Sequence, residues 1–163
     1  MKKRLVSVMT VLTLLMSMNV SALAAETTEV TALEPSMFSV RRASEYLDEY
    51  SVGIEARGNG KIAVIMNVDG TGVMDKIGVR EVEIDYKENG TWKYYDSLYA
   101  AEHPEFYDYD SRDFMGTTYF QGTPGVLYRV TLTVYAGNST GHDTGYITSY
   151  AVTCKYPGRN WVI

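Results

Sequence analysis

Val126-Leu127-Tyr128-Arg129-Val130-Thr131-Leu132-Thr133-Val134-Tyr135-Ala136 is the most regular run in the chain. Val126, Tyr128, Val130, Leu132 and Val134 share one parity, while Arg129, Thr131, Thr133 and Tyr135 share the other. A strand sends successive side chains to opposite faces, so this pattern reads as a half-buried strand. Thr123-Pro124-Gly125 turns the chain into it: proline presets φ and glycine accepts a positive one.

Outward from this run, the same period of two recurs. Tyr50, Val52, Ile54 and Ala56 alternate with Ser51, Gly53 and Glu55, and after Gly58-Asn59-Gly60 so do Ile62, Val64, Met66 and Val68. Val82, Ile84 and Tyr86 mark a third strand over Val79 to Lys87. Asn89-Gly90 then signals a tight hairpin, because both residues tolerate positive φ, and Thr91 to Leu98 is its return strand. Phe114 to Gln121 and Tyr146 to Lys155 complete a set of seven strands, with Asn138 to Gly145 as a loop. Arg41 to Tyr50 has room for one or two helical turns, with Ala43, Tyr46, Leu47 and Tyr50 at helical spacing. Tyr99 to Asp113 is the longest stretch with no strand signal. Seven short alternating strands and no long helix predict an all-β fold, a two-sheet antiparallel β-sandwich.

The stretch Gly122 to Ala136 resembles the turn and sixth strand of a fibronectin type III domain, in which a Pro-Gly turn precedes a tyrosine that opens an alternating strand. The resemblance implies that Tyr128 is a corner tyrosine, its ring packed inward and its hydroxyl bonded to backbone within Phe120 to Gly125. Tyr135, of opposite parity, then belongs on the outer face. Gly58-Asn59-Gly60-Lys61-Ile62, Gly70-Thr71-Gly72-Val73-Met74-Asp75-Lys76-Ile77-Gly78 and Tyr135-Ala136-Gly137 look like a family of small secreted proteins of Gram-positive bacteria with a fibronectin type III or immunoglobulin-like sandwich and no characterised function. That similarity spans about residues 46–153. It implies fold and export, and carries over no catalytic residue.

Composition narrows the function. The chain has 163 residues, 45% of them hydrophobic, which suits one domain. One cysteine excludes an internal disulfide framework, and two histidines leave little for zinc or imidazole catalysis. The N-terminus reads as a secretory signal peptide: basic Lys2, Lys3 and Arg4, an apolar run from Leu5 to Val20, and Ala22-Leu23-Ala24 for cleavage after Ala24. The apolar run is short for a membrane span of ~20 residues, so no stable membrane anchor is expected after cleavage. Loss of residues 1–24 removes three bases and no acid, taking the formal net charge from -5 to -8. Such a surface repels nucleic acid and anionic lipid. The expected organisation is a signal peptide over 1–24, a flexible lead over 25–45, a β-sandwich over 46–156 and a tail over 157–163.

Several residues invite a chemical reading. Asn67, Asp69, Thr71 and Asp75, with Gly72 at the sixth place, fit the alternating oxygen ligands of a calcium loop, but the twelfth place is Gly78 rather than a bidentate carboxylate. The same segment also reads as an inter-strand loop in which Gly70 and Gly72 turn the chain and Met74 and Ile77 plug the end of the core. Glu102, Glu105, Asp108, Asp110 and Asp113 crowd one stretch with Phe106, Tyr107 and Tyr109. Carboxylates among aromatics suit a sugar, a cation or a basic partner, and a pair of them could serve glycoside hydrolysis. They suit equally a solvated acidic loop pinned by its rings. Trp92, Tyr94, Tyr95 and Tyr99 cluster on and after the return strand, with Trp92 and Tyr94 on one face and Tyr95 on the other. A solvent-facing row of them could stack on sugar rings, although core packing uses the same residues. His142-Asp143 lacks a serine or cysteine partner motif, and Cys154 fits a strand pattern as a small apolar residue. The reading is a secreted, non-enzymatic sandwich with no cofactor, binding an extracellular protein or glycan. Trp92, Tyr94, Tyr95, Tyr99, Tyr107 and Tyr109 are the candidate ligand residues, and Tyr128, Gly70, Gly72, Met74, Ile77, Asn89 and Gly90 the structural ones.

Overall fold

The computed structural model describes residues 38–42 and 44–158. Eight strands run through them: β1 (Phe38–Arg42), β2 (Leu47–Gly58), β3 (Lys61–Glu88), β4 (Thr91–Tyr99), β5 (Tyr107–Gln121), β6 (Leu127–Asn138), β7 (Gly141–Thr148) and β8 (Val152–Thr153). The helical content among the described residues is a single 3-10 turn, Pro104–Phe106. All strand pairs are antiparallel, so the protein is all-β. The expected signal peptide (1–24) and Trp161 lie outside the described residues.

Two hairpins follow from turn chemistry. Asn59 (φ 53°) and Gly60 (φ 79°) join β2 to β3, and Asn89 (φ 50°) and Gly90 (φ 83°) join β3 to β4. Two successive left-handed residues match the right-handed twist of the flanking strands.

β3 organises the rest. Its 28 residues, at ~3.3 Å each, would reach roughly 90 Å if straight, far beyond a domain whose radius of gyration is about 13 Å. It therefore cannot stay straight, and it exchanges partners along its length. Residues 61–70 pair with β2 on one edge and β5 on the other. Further on, residues 76–86 pair with β6 and residues 81–88 with β4. Between these halves Asp69 faces Asp113 while Met74 faces Ser111, so residues 70–73 stand against Arg112 alone. Arg80 is an extra residue between the pairs Val79–Val134 and Glu81–Thr133, and Tyr95 is one between Asp85–Tyr94 and Ile84–Asp96. Such bulges bend a strand and re-aim its side chains.

The structure revises several sequence boundaries. Two strands separated by a loop over 69–78 were expected; instead β3 runs on through that segment, bulging at 70–73 and pairing again as residues 74–78 find partners in residues 107–111. By the same pairing the stretch 99–113 is half strand, with β5 beginning at Tyr107. The lead over 25–45 contains β1, which pairs with β2, and Leu47 already opens β2, so no helical turn forms among the described residues between them. Asn138 to Gly145 is a tight hairpin rather than a loop, with Asn138 paired to Gly141. The last expected strand is broken into β7 and β8 at Ser149, whose hydroxyl accepts a bond from the Val130 N–H (3.0 Å).

The buried side chains form one cluster that draws on both halves of β3. Ile62, Val64, Met66 and Val68 join Val82 and Ile84, with Val52 and Ile54 of β2 and Tyr128, Val130, Leu132 and Val134 of β6. Met74 and Ile77 are buried in the same cluster. Tyr128 is 1% exposed. Its hydroxyl accepts the Thr123 N–H at 2.9 Å, and its ring meets Phe120 edge-on at 5.5 Å. Cys154 is buried, its thiol donating to the Gly60 carbonyl (3.4 Å), and burial raises its pKa. Such a thiol is a packing group rather than a nucleophile.

Candidate functional site

A cleft of about 370 Å³ opens beside the second stretch of the β3–β5 pair, lined by Lys76 and Arg80 of β3, Tyr99 at the end of β4, Pro104, and Tyr107 and Tyr109 of β5. Its volume lies in the range of small-ligand sites. Each side chain arrives for a local reason. Lys76 lies opposite Tyr109, and Gly78 opposite Tyr107. Gly78 has φ +147°, and a Cβ there would sit 2.1 Å from the Phe106 carbonyl oxygen. Only glycine lets the Phe106–Tyr107 backbone come this close. Arg80 is the bulge residue, and its carbonyl accepts the Ala100 N–H (3.0 Å), which ties the end of β4 to this point of β3. The Tyr99 carbonyl accepts the N–H groups of Glu102 (2.9 Å) and His103 (3.1 Å), so the chain reverses into the 3-10 turn. Buried Phe106 anchors that turn, with the His103 ring stacked on it at 4.8 Å.

The electrostatics of this cleft are unusual for so acidic a chain. The Lys76 ammonium lies 3.7 Å from the centre of the Tyr107 ring and 6.0 Å from that of Tyr109. Among the described residues neither Lys76 nor Arg80 forms an ion pair, and no carboxylate lines the cleft. Burial pushes the Tyr107 phenol up, and the Arg80 charge works against that shift. Tyr107 also meets Tyr135 edge-on at 6.3 Å, and Tyr135 stacks on His142 at 5.4 Å. The Tyr107 ring holds the Lys76 ammonium here without neutralising it.

The other aromatic candidates go elsewhere. Trp92 carries the Arg129 guanidinium at 4.4 Å and the Lys87 ammonium at 5.5 Å on its ring. Arg129 in turn pairs with Asp85 (2.8 and 2.9 Å). The ring face a sugar would need is thus covered by cations. Tyr94, opposite Asp85 on the same side, is exposed. Tyr95 is a packing residue: its ring meets Tyr128 at 5.3 Å and Phe120 at 6.3 Å, and its hydroxyl donates to the Gln121 carbonyl (2.8 Å). Of the six, the structure brings Tyr99, Tyr107 and Tyr109 together. Lys76 and Arg80 were missed, although Lys76-Ile77-Gly78-Val79-Arg80 carried a signal: two cations of like parity astride a glycine.

A second cleft, of about 550 Å³, lies beside the first stretch of the β3–β5 pair and is lined by Asp48, Glu49, Asp69, Arg112 and Asp113. Asp69 is flanked by Glu49 on β2 and Asp113 on β5, a cross-strand row of like charges. Burial raises the Asp69 pKa first, then Asp113, Glu49 and Asp48, while Arg112 opposes them. Arg112 reaches Asp48 at 4.0 Å and donates to the Gly70 carbonyl at 3.4 Å.

The calcium reading of Asn67, Asp69, Thr71 and Asp75 meets a strand instead of a ligand loop. Asn67 donates to the Ser51 hydroxyl (3.3 Å), Thr71 donates to the Glu45 carbonyl (2.8 Å), and Asp75 is exposed. Residues spaced along a strand do not converge on one ion. Among the described residues no group of three or more His, Cys, Asp or Glu side chains is placed to hold a metal. Glu102, Glu105, Asp108 and Asp110 are exposed. His142 and Asp143 diverge, His142 onto Tyr135 and Asp143 onto the Tyr46 N–H (2.6 Å), a bond that lowers the Asp143 pKa. No protein-family model and no curated protein matches this chain.

Proposed function

We propose that this is a secreted, non-catalytic binding module, exported by a signal peptide cut after Ala24, which takes its ligand in the cleft of Tyr99, Tyr107 and Tyr109. The observation that carries this reading is the convergence of three of the candidate tyrosines with Lys76 and Arg80 in one concavity. Tyrosine supplies a flat apolar face and a polar tip, the combination that recognises a sugar ring or an extended peptide.

The same proposal includes the fold type, a fibronectin type III or immunoglobulin-like sandwich. In it β1, β2, the first half of β3 and β5 form one sheet, and β4, the second half of β3, β6 and β7 the other. The shared cluster of buried residues, the Phe120–Tyr128 ring contact and the Tyr128 hydroxyl bond support it.

The test is binding of the mature protein to an array of glycans and cell-wall fragments. Wild type should retain a ligand, and Tyr99→Ala and Tyr109→Ala should each weaken it at least tenfold while keeping the fold. N-terminal sequencing of the extracellular protein should begin at Ala25. A protein still carrying Leu5 to Val20 would overturn the export reading.

One observation favours a second reading, a small hydrolase: Asp69 and Asp113 face each other in a cleft, and the Asp69 pKa is raised. A carboxyl with a raised pKa beside a second carboxyl is the kind of pair glycoside hydrolysis uses. Hydrolysis of an array glycan, abolished by both Asp69→Asn and Asp113→Asn, would put this reading first.

A further inference from the structure

Resting on the binding-module reading, we infer that the tyrosine cleft selects saccharides bearing a carboxylate, the sugar ring lying on Tyr99 and Tyr109 and its carboxylate meeting Arg80 and Lys76. In a chain with 15 bases against 20 acids, some of the described basic side chains find a carboxylate. Arg57, Lys93, Arg112 and Arg129 each do. Among the described residues Lys61, Lys76, Arg80, Lys87 and Lys155 do not, and of these Lys76 and Arg80 share a cleft whose lining holds no acid.

The arrangement holds both charges ready. A ring under Lys76 (3.7 Å) attracts the ammonium through its quadrupole yet accepts no proton from it, so the N–H donors on the far side stay available. Arg80 is turned to this side by its bulge and offers a planar fork that matches a carboxylate with two parallel bonds. Tyr99 and Tyr109 are 46% and 64% exposed, and the Lys76 ammonium stands 6.0 Å from the Tyr109 ring centre, farther than the cations on Trp92 (4.4 and 5.5 Å). The flat CH face of a pyranose can lie on such rings while a ring carboxylate reaches the cations.

The experiment titrates the mature protein with oligogalacturonate, oligomannuronate, hyaluronan oligosaccharide and a muramic acid-containing cell-wall fragment, each beside its methyl ester, by calorimetry. At least one acid form should bind tenfold or more tighter than its ester, and the advantage should shrink between 0.05 and 0.5 M salt. Arg80→Ala and Lys76→Ala should each remove that advantage, so that acid and ester then bind alike, while Arg80→Lys restores part of it. Both side chains lie at the surface, and near-UV circular dichroism checks the fold of each variant. Equal binding of acid and ester, both lost in Tyr109→Ala, overturns the charge selection and leaves the binding module standing. Binding of no saccharide in either form overturns the inference. A cleft-independent ligand on the array, unaffected by Tyr99→Ala and Tyr109→Ala, would overturn the binding site itself.

Discussion

The two clefts share the same pair of strands, on either side of the bulge at 70–73, and carry opposite charge. In one, Asp48, Glu49, Asp69 and Asp113 surround Arg112. In the other, Lys76 and Arg80 sit among tyrosines with no acid in the lining. Arg112 is engaged by its neighbours, so the acidic cleft is internally compensated in part and costs the fold some repulsion at Asp69. In the cationic cleft the Tyr107 ring restrains Lys76, the close backbone approach at Gly78 brings that ring in, and among the described residues no counter-ion takes up the charge of Lys76 or Arg80. The two clefts therefore differ in the kind of group that restrains their cations. A counter-ion restrains and neutralises, whereas a ring restrains only.

The strongest way to break this contrast is Gly78→Ala. A Cβ 2.1 Å from the Phe106 oxygen, at a left-handed φ, must push β5 away from β3. The expected loss is about 2–5 kcal/mol in urea melts, from backbone strain and overpacking together, with saccharide binding lost before Asp69 is disturbed. Stability close to wild type would mean that the cationic cleft does not depend on that approach.

Tyr128→Phe gives a reference outside both clefts. It keeps the ring packing and removes the acceptor of the Thr123 N–H, for about 0.5–1.5 kcal/mol. Tyr135→Phe, on the half-buried opposite parity of β6, should change stability by less. If it proves the more damaging, the register of β6 has been read one residue out.

Asp69→Asn should stabilise. A carboxyl whose folded pKa is raised holds its proton to higher pH in the folded than in the unfolded chain, so its contribution to stability falls as pH rises through that window. Asparagine removes the penalty. The gain should be about 0.2–1 kcal/mol at pH 7 and should vanish as pH is lowered past the ordinary carboxylate pKa of about 3.9. A loss at pH 7 would show that Asp69 is a favourable partner of Arg112, and the contrast between the clefts would fail.

The smallest effects belong to Glu102→Gln and Asp108→Asn, both on exposed residues. Stability should stay within about 0.5 kcal/mol and saccharide binding within twofold. A tenfold change in binding would mean that the acids near the cationic cleft act on the ligand directly.

Much of this molecule is legible in one dimension. The strand cores at Ile62 to Val68, Val82 to Ile84 and Tyr128 to Val134 follow from a parity rule that each residue obeys locally. Asn59-Gly60 and Asn89-Gly90 announce their turns because a left-handed backbone is a property of the residue itself. Tyr99, Tyr107 and Tyr109 were visible as candidates. That they line one cleft was not, because Tyr99 comes from the end of β4 and the other two from β5. The sequence by itself determined the all-β class, the main hairpins and the short list of aromatic residues, all of which depend on period and local conformation. Only the tertiary structure decided that residues 61–88 form one strand, that the Tyr95 ring packs against Tyr128 and Phe120, that Trp92 carries cations on its ring, and that Lys76 and Arg80 join three tyrosines in one cleft. Each of these depends on which bulge falls where between strands distant in the chain, and a shift of one residue in such a register sends every side chain to the other face.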